Sequence, residues 1–132
     1  MVELLVPRPL KAEGFTAAVI YRVIEKYLPT LLIDELDSFL KGNEVLRGVL
    51  NSGYEAKGRV LRSVGDEHET RTFSTWGPKV LALIGELPPT IEDRSIVIRM
   101  EWKLAGEQAE SLSPSREPAF LELKRRCIRW AE

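Results

Sequence analysis

The chain has 132 residues, of which 44% are hydrophobic and 30% charged, with a formal net charge of -1; this suits one domain that buries a core without staples. No apolar run approaches the roughly 20 residues of a membrane span. The N-terminus lacks a secretory pattern, and the single Cys127 excludes an internal disulfide and a cysteine-rich metal site, so the expected setting is the cytoplasm, with no membrane partner.

Val2 to Val6 is a short apolar run closed by Pro7 and Pro9, which predicts a strand at a sheet margin because proline ends ladder pairing. Gly14 and Thr16 open a helix, with Thr16 as its N-cap. Val19, Ile20, Val23, Ile24, Tyr27 and Leu28 give that helix one apolar face, and Pro29 stops it. The next run, Leu31-Leu32-Ile33, suits a strand buried on both faces. Strand, helix, strand in that order predicts a parallel crossover.

Asn43 is placed to cap a second helix with apolar positions Val45, Leu46, Val49 and Leu50, ending at Asn51-Ser52-Gly53. Arg47, on or beside that face, reads as solvated. Residues 58–64 and 70–75 alternate as two arms of a hairpin joined by the acidic stretch 65–69. Its lone His68 reads as a solvated turn residue. Lys57, Arg59, Arg62 and Arg71 place positive charge on the hairpin. Such a ribbon either meets a nucleic-acid backbone or is simply solvated.

Lys79 to Ile84 predicts another strand, and Ile96 to Met100 a further one. Between them Pro88-Pro89 fix the backbone and Thr90 begins a helical turn. Arg94 is thereby held on a rigid support, either for bidentate phosphate contact or for a salt bridge to Asp93 or Glu92. Residues 105–117 are polar and read as a linker. Residues 118–132 form a final helix whose Phe120, Leu121, Leu123, Cys127, Ile128 and Ala131 are apolar and whose Lys124, Arg125, Arg126 and Arg129 are basic. Trp130 near its end suggests that it packs against something.

The pair Asp34-Glu35 closes the buried run with two carboxylates. One can hold a metal-bound phosphate through water and the other can orient an attacking water. This is the Walker B pattern of nucleotide hydrolases, and it is weak by itself. Three segments accompany it in order: Thr30-Leu-Leu-Ile-Asp-Glu-Leu-Asp37; Leu46-Arg-Gly-Val-Leu-Asn-Ser-Gly53; and Phe73-Ser-Thr-Trp-Gly-Pro-Lys79 with Ile84-Gly-Glu-Leu-Pro-Pro-Thr-Ile-Glu-Asp-Arg-Ser95. Together they resemble a domain-of-unknown-function family of bacterial, phage and plasmid proteins that look like primase/helicase P-loop ATPases. The similarity runs from Leu4 to Trp130.

That resemblance implies a three-layer α/β fold with a mainly parallel sheet. It would be the partial core of an additional-strand P-loop NTPase, akin to AAA+ proteins and superfamily III helicases, spanning residues 1–104 with a projecting β-hairpin and followed by the C-terminal helix. It implies magnesium and ATP as cofactors in the parent family. Asp34 would support the metal, with Asp37 beside it at the nucleotide, and Glu35 would polarise water. Arg94 would stand as an arginine finger toward a neighbouring subunit. Strand Lys79–Ile84 would end where a sensor residue is expected, but Ile84-Gly85 fills that place. The hairpin would sit where related helicases contact DNA. Partners implied are DNA and further copies or a P-loop-bearing subunit.

One element of the pattern is missing. A P-loop needs Gly-x-x-x-x-Gly-Lys-[Ser/Thr], and none of Gly42, Gly48, Gly53 and Gly58 is followed by Lys-[Ser/Thr]. The expectation is a fragment or remnant with the Walker A strand lying upstream, the last helix truncated, and no efficient ATP hydrolysis alone. The alternatives are a non-catalytic nucleic-acid module and an interaction fragment that packs on a full-length ATPase.

Overall fold

The computed structural model describes residues 2–12, 15–65, 68–108 and 117–131. Two compact units share the chain: Pro7–Ser95, and Met1–Val6 with Ile96–Glu132. The smaller of them opens with a short helix, α1 (Val2–Leu5).

The larger unit is mixed α/β, built on a small all-parallel sheet. Its elements are β1 (Pro9–Ala12), α2 (Ala17–Tyr27), β2 (Thr30–Ile33), α3 (Leu36–Leu40), α4 (Glu44–Ser52), β3 (Arg59–Val64), β4 (Glu69–Ser74), β5 (Lys79–Leu81) and α5 (Pro89–Glu92). Strand β2 lies between β1 and β5, parallel to both, with Leu10 facing Leu31 and Val80 facing Leu32 in register. All four β2 residues are buried, as the continuous apolar run requires of a strand covered on both faces. Helix α2 provides the parallel connection that the strand–helix–strand order predicts. Leu28 ends it in the left-handed region, its N–H bonding the Ile24 carbonyl at 3.0 Å, and Pro29 prevents continuation. Thr16 takes the N-cap position, although its side chain makes no capping bond.

Strands β3 and β4 form the expected antiparallel hairpin, pairing Arg59 with Ser74 through to Val64 with Glu69. Its loop residues Asp66 and Glu67 lie outside the described residues. The hairpin packs on α2 and α4. Phe73 meets Tyr21 at 4.7 Å between ring centroids, and Val60 and Phe73 join Ile20, Ile24, Leu46 and Val49 in one core. Asn43 caps α4, its Oδ1 accepting the Leu46 N–H at 3.0 Å. Val45, counted among the apolar positions of α4, faces solvent while Leu46, Val49 and Leu50 are buried.

Three expected strands come out differently. Val2–Val6 is not a strand: its first four residues form α1, and the sheet margin is β1, which begins at Pro9. Starting there places the proline at the strand's first position, where its missing donor costs least. Strand β5 stops at Leu81 rather than Ile84, because the chain then turns across the end of β2, where the Ala82 carbonyl accepts the Leu36 N–H at 2.9 Å. Ile96–Met100 joins no ladder, so its alternation of large apolar residues is exposed. In the smaller unit, α1 lies against helix α6 (Glu117–Ala131). The polar stretch read as a linker falls mostly on residues 109–116, outside the described residues.

Candidate functional site

Carboxyl ends of parallel strands are where open α/β sheets place their ligands, because the loops there diverge and leave a crevice. Asp34 and Glu35 occupy that position on the central strand and both are exposed. The Asp34 Oδ1 accepts the Glu35 N–H at 3.0 Å, which fixes the aspartate over the strand end. Glu35 itself sits at φ 52°, ψ 39°, a left-handed conformation that costs a non-glycine residue roughly 1 kcal/mol or more. The backbone reverses there so that Leu36 enters the core, fully buried. Asp37 points elsewhere. Its Oδ1 accepts the Ile84 N–H at 3.3 Å, tying α3 to the loop after β5. It lines an open cavity of about 340 Å³ with Lys41, Arg47, Glu86 and Pro88.

Among the described residues no three His, Cys, Asp or Glu side chains cluster as a self-sufficient metal site. One carboxylate that leaves an oxygen open suits magnesium, which keeps most of its waters and takes other ligands from phosphates. Asp34 fits that role and Asp37, engaged with Ile84, fits it less well.

Arg94 emerges from the turn after α5. The prolines place it: Pro88 is the N-cap, Pro89 opens the helix, and Ile91 is driven into the core at 4% exposure. Its guanidinium does not face Asp34 or Glu35 through any hydrogen bond. Instead Nη1 donates to the Thr90 carbonyl at 2.8 Å and to Asn51 Oδ1 at 3.3 Å, and Cζ lies 4.6 Å from the centre of the Tyr54 ring. The group is exposed but preset, with donors left over for an external acceptor.

Residues 51–53 thus meet all the downstream signature segments. Asn51 holds Arg94. Ser52 Oγ lies 2.9 Å from Thr75 Oγ1. Gly53 offers its carbonyl to Lys79 Nζ at 3.1 Å, and Lys79 also donates to the carbonyls of Thr75 and Gly77, both at 2.9 Å. A side chain at Gly53 would bring its Cβ within 2.6 Å of the Thr75 oxygen and against the Lys79 amine. Burial pushes the Lys79 amine down from 10.5 to about 8. In the sequence Lys79 stands as the last residue of a signature and the first of a predicted strand. No spacing rule marks a lysine that will bond three carbonyls.

The four basic hairpin residues do not form one exposed ribbon. Arg62 and Arg71 stand directly opposite each other on the hairpin face that carries buried Val60 and Phe73 toward α2. Arg59 has the opposite strand parity and faces outward with Leu61 and Ser63, while Lys57 lies in the turn before β3. Arg71 Nη2 is 3.7 Å from Glu25 Oε1 on α2.

No family model, curated protein or solved structure matches this chain.

Proposed function

We propose that this chain carries the acidic, water-activating half of an additional-strand P-loop ATPase site, within the three-layer fold of that class. It would serve DNA remodelling or unwinding in a mobile element, in the cytoplasm. Its main support is the position of Asp34-Glu35, exposed at the carboxyl end of the buried central strand of an all-parallel sheet. A bound magnesium–ATP would supply the metal charge and the electrophilic phosphorus. Asp34 would hold the ion through water, and Glu35 would orient the attacking water and accept its proton. Arg94, preset by Asn51 and Tyr54, would offer its remaining donors to a nucleotide on a neighbouring copy. The chain contains no Gly-Lys-Ser/Thr cradle, and two carboxylates cannot replace the backbone amides that bind polyphosphate. Hydrolysis would therefore need a P-loop supplied by another segment or subunit.

Manganese tests this directly, because it substitutes for magnesium and broadens nearby amide resonances. Added with ATP to the isolated chain, it is expected to bind weakly, to broaden Asp34, Glu35 and Leu36 first, and to lose that selectivity in Asp34→Asn. Broadening centred elsewhere, or unchanged in Asp34→Asn, sinks the proposal. Steady ATP hydrolysis by the isolated chain would overturn the half-site form of it.

A further inference from the structure

Beside the sheet, α2 and the hairpin enclose a groove of about 490 Å³ lined by Arg22, Glu25, Lys26, Val64, Arg71 and Phe73. Arg62 adjoins it, opposite Arg71 in the hairpin register and 5.8 Å from the Tyr21 ring. Among the described residues, three cations and one carboxylate line the groove and a fourth cation adjoins it, while Glu69 lies farther along the same hairpin face, opposite Val64.

This arrangement works against itself in the unliganded protein. Like charges directly across a strand pair repel, as do like charges four residues apart on a helix; Arg62 with Arg71 is the first case and Arg22 with Lys26 the second. Among the described lining residues Glu25 is the one acid, and it meets Arg71 at only 3.7 Å, too long for a hydrogen bond. Its Oε2 and the Nε of Arg62 are both buried without a hydrogen-bond partner. Buried polar atoms are normally satisfied, so two orphans in one groove call for an explanation.

We propose that this groove binds the phosphate backbone of single-stranded nucleic acid through Arg22, Lys26, Arg62 and Arg71, with Glu25 as the carboxylate that an incoming phosphate displaces. A backbone phosphodiester offers two non-bridging oxygens to guanidinium forks where the carboxylate offers one distant oxygen. Arg22 and Lys26 are one helical turn apart, about 6 Å along the axis, comparable with the separation of successive phosphates in an extended strand. Val64 and Phe73 give the groove an apolar floor, so recognition is of the backbone and is indifferent to base. The inference is independent of the nucleotide half-site: either stands if the other fails.

Fluorescence anisotropy of a labelled oligothymidylate, read over a salt series, tests it. Arg22→Gln/Lys26→Gln keeps good helix formers at exposed positions, so the fold is retained. Losing two phosphate contacts is expected to weaken binding about tenfold and to flatten the slope of log K against log salt by about 1.4. Arg59→Gln, on the outer hairpin face, is expected to change affinity less than twofold. Glu25→Gln removes the competing carboxylate and is expected to tighten binding several-fold. Absence of binding by the parent chain overturns the proposal. So does an Arg59→Gln loss equal to that of the double variant, weaker binding by Glu25→Gln, or polyglutamate that competes as well as oligothymidylate at equal charge.

Discussion

Ser52 and Thr75, 23 residues apart, share a hydrogen bond of 2.9 Å between their hydroxyls. Ser52 Oγ also lies 2.8 Å from the Gly48 carbonyl, which can only accept. The serine proton is thus committed to Gly48, and Thr75 donates to Ser52. Thr75 is fully buried, so Ser52→Ala leaves its hydroxyl without an acceptor. A loss of about 1–3 kcal/mol is expected in denaturant unfolding. Thr75→Val should recover much of it in the Ser52→Ala background, giving a coupling energy in the double-mutant cycle. Strict additivity would show that the bond does not hold α4 to the hairpin.

The next residue along permits the closest approach in the node. Gly53 has φ −81°, so its backbone suits any residue and only space excludes a side chain. Gly53→Ala would press its methyl on the Thr75 carbonyl and the Lys79 amine. Overpacking of this kind costs about 1–3 kcal/mol. The expected result is a lower urea midpoint with an unchanged m-value; an unchanged midpoint would contradict the packing described.

Lys79 links the same node to pH. Its amine titrates near 8 in the folded chain because burial disfavours the charge, against 10.5 when solvated. Between those values the unfolded state holds more protons, so unfolding free energy rises with pH. The contribution is fully present above 10.5 and is lost as pH falls to about 8. It amounts to at most about 3 kcal/mol; the three carbonyl acceptors favour the ammonium and work to reduce it. Equilibrium unfolding of the parent chain and of Lys79→Met, run in parallel from pH 8 to 10.5, checks the sign. The unfolding free energy of the parent minus that of Lys79→Met should increase as pH rises, and a decrease would show that the carbonyls outweigh burial.

These features divide by how they were written into the sequence. Strand β2, helix α4 with its Asn43 cap, and the β3–β4 hairpin were legible because each depends on local periodicity and end signals. So was the placement of Asp34-Glu35 at a strand end. Residues 2–6 and 96–100 were misleading for one reason: each is apolar enough for a strand, but pairing depends on a neighbour that no local pattern reveals. The groove was hidden more deeply. No local pattern singles out Arg22, Glu25 and Lys26 on α2, and only the hairpin's docking sets them against Arg71.

The exposed run from Ile96 leads to a prediction about association. Ile96, Ile98, Met100, Trp102 and Leu104 alternate along it and are 69–96% exposed. An apolar stripe of this kind marks a surface that associates, and its period of two suits pairing with another strand. Light scattering should show the parent chain self-associating at micromolar to millimolar concentration, with Ile98→Lys/Trp102→Lys returning it toward the monomer mass. A parent chain that stays monomeric throughout would show that the stripe is not a contact surface.

Glu35 offers the sharpest separation of stability from function. At φ 52° it holds a conformation that glycine takes without strain. If the residue stood there for structure alone, glycine would be the better choice. Glu35→Gly should leave stability unchanged or raise it by up to about 1 kcal/mol, strain relief being partly offset by the greater freedom of the unfolded chain. In any assembly where a P-loop completes the site, the same variant should lose at least a hundredfold in kcat, and Glu35→Gln should lose as much while keeping nucleotide affinity. Thermal unfolding of the isolated variant and turnover in the reconstituted assembly provide the two readings. A destabilised Glu35→Gly with normal turnover would make the carboxylate a structural residue and remove the catalytic role assigned to it.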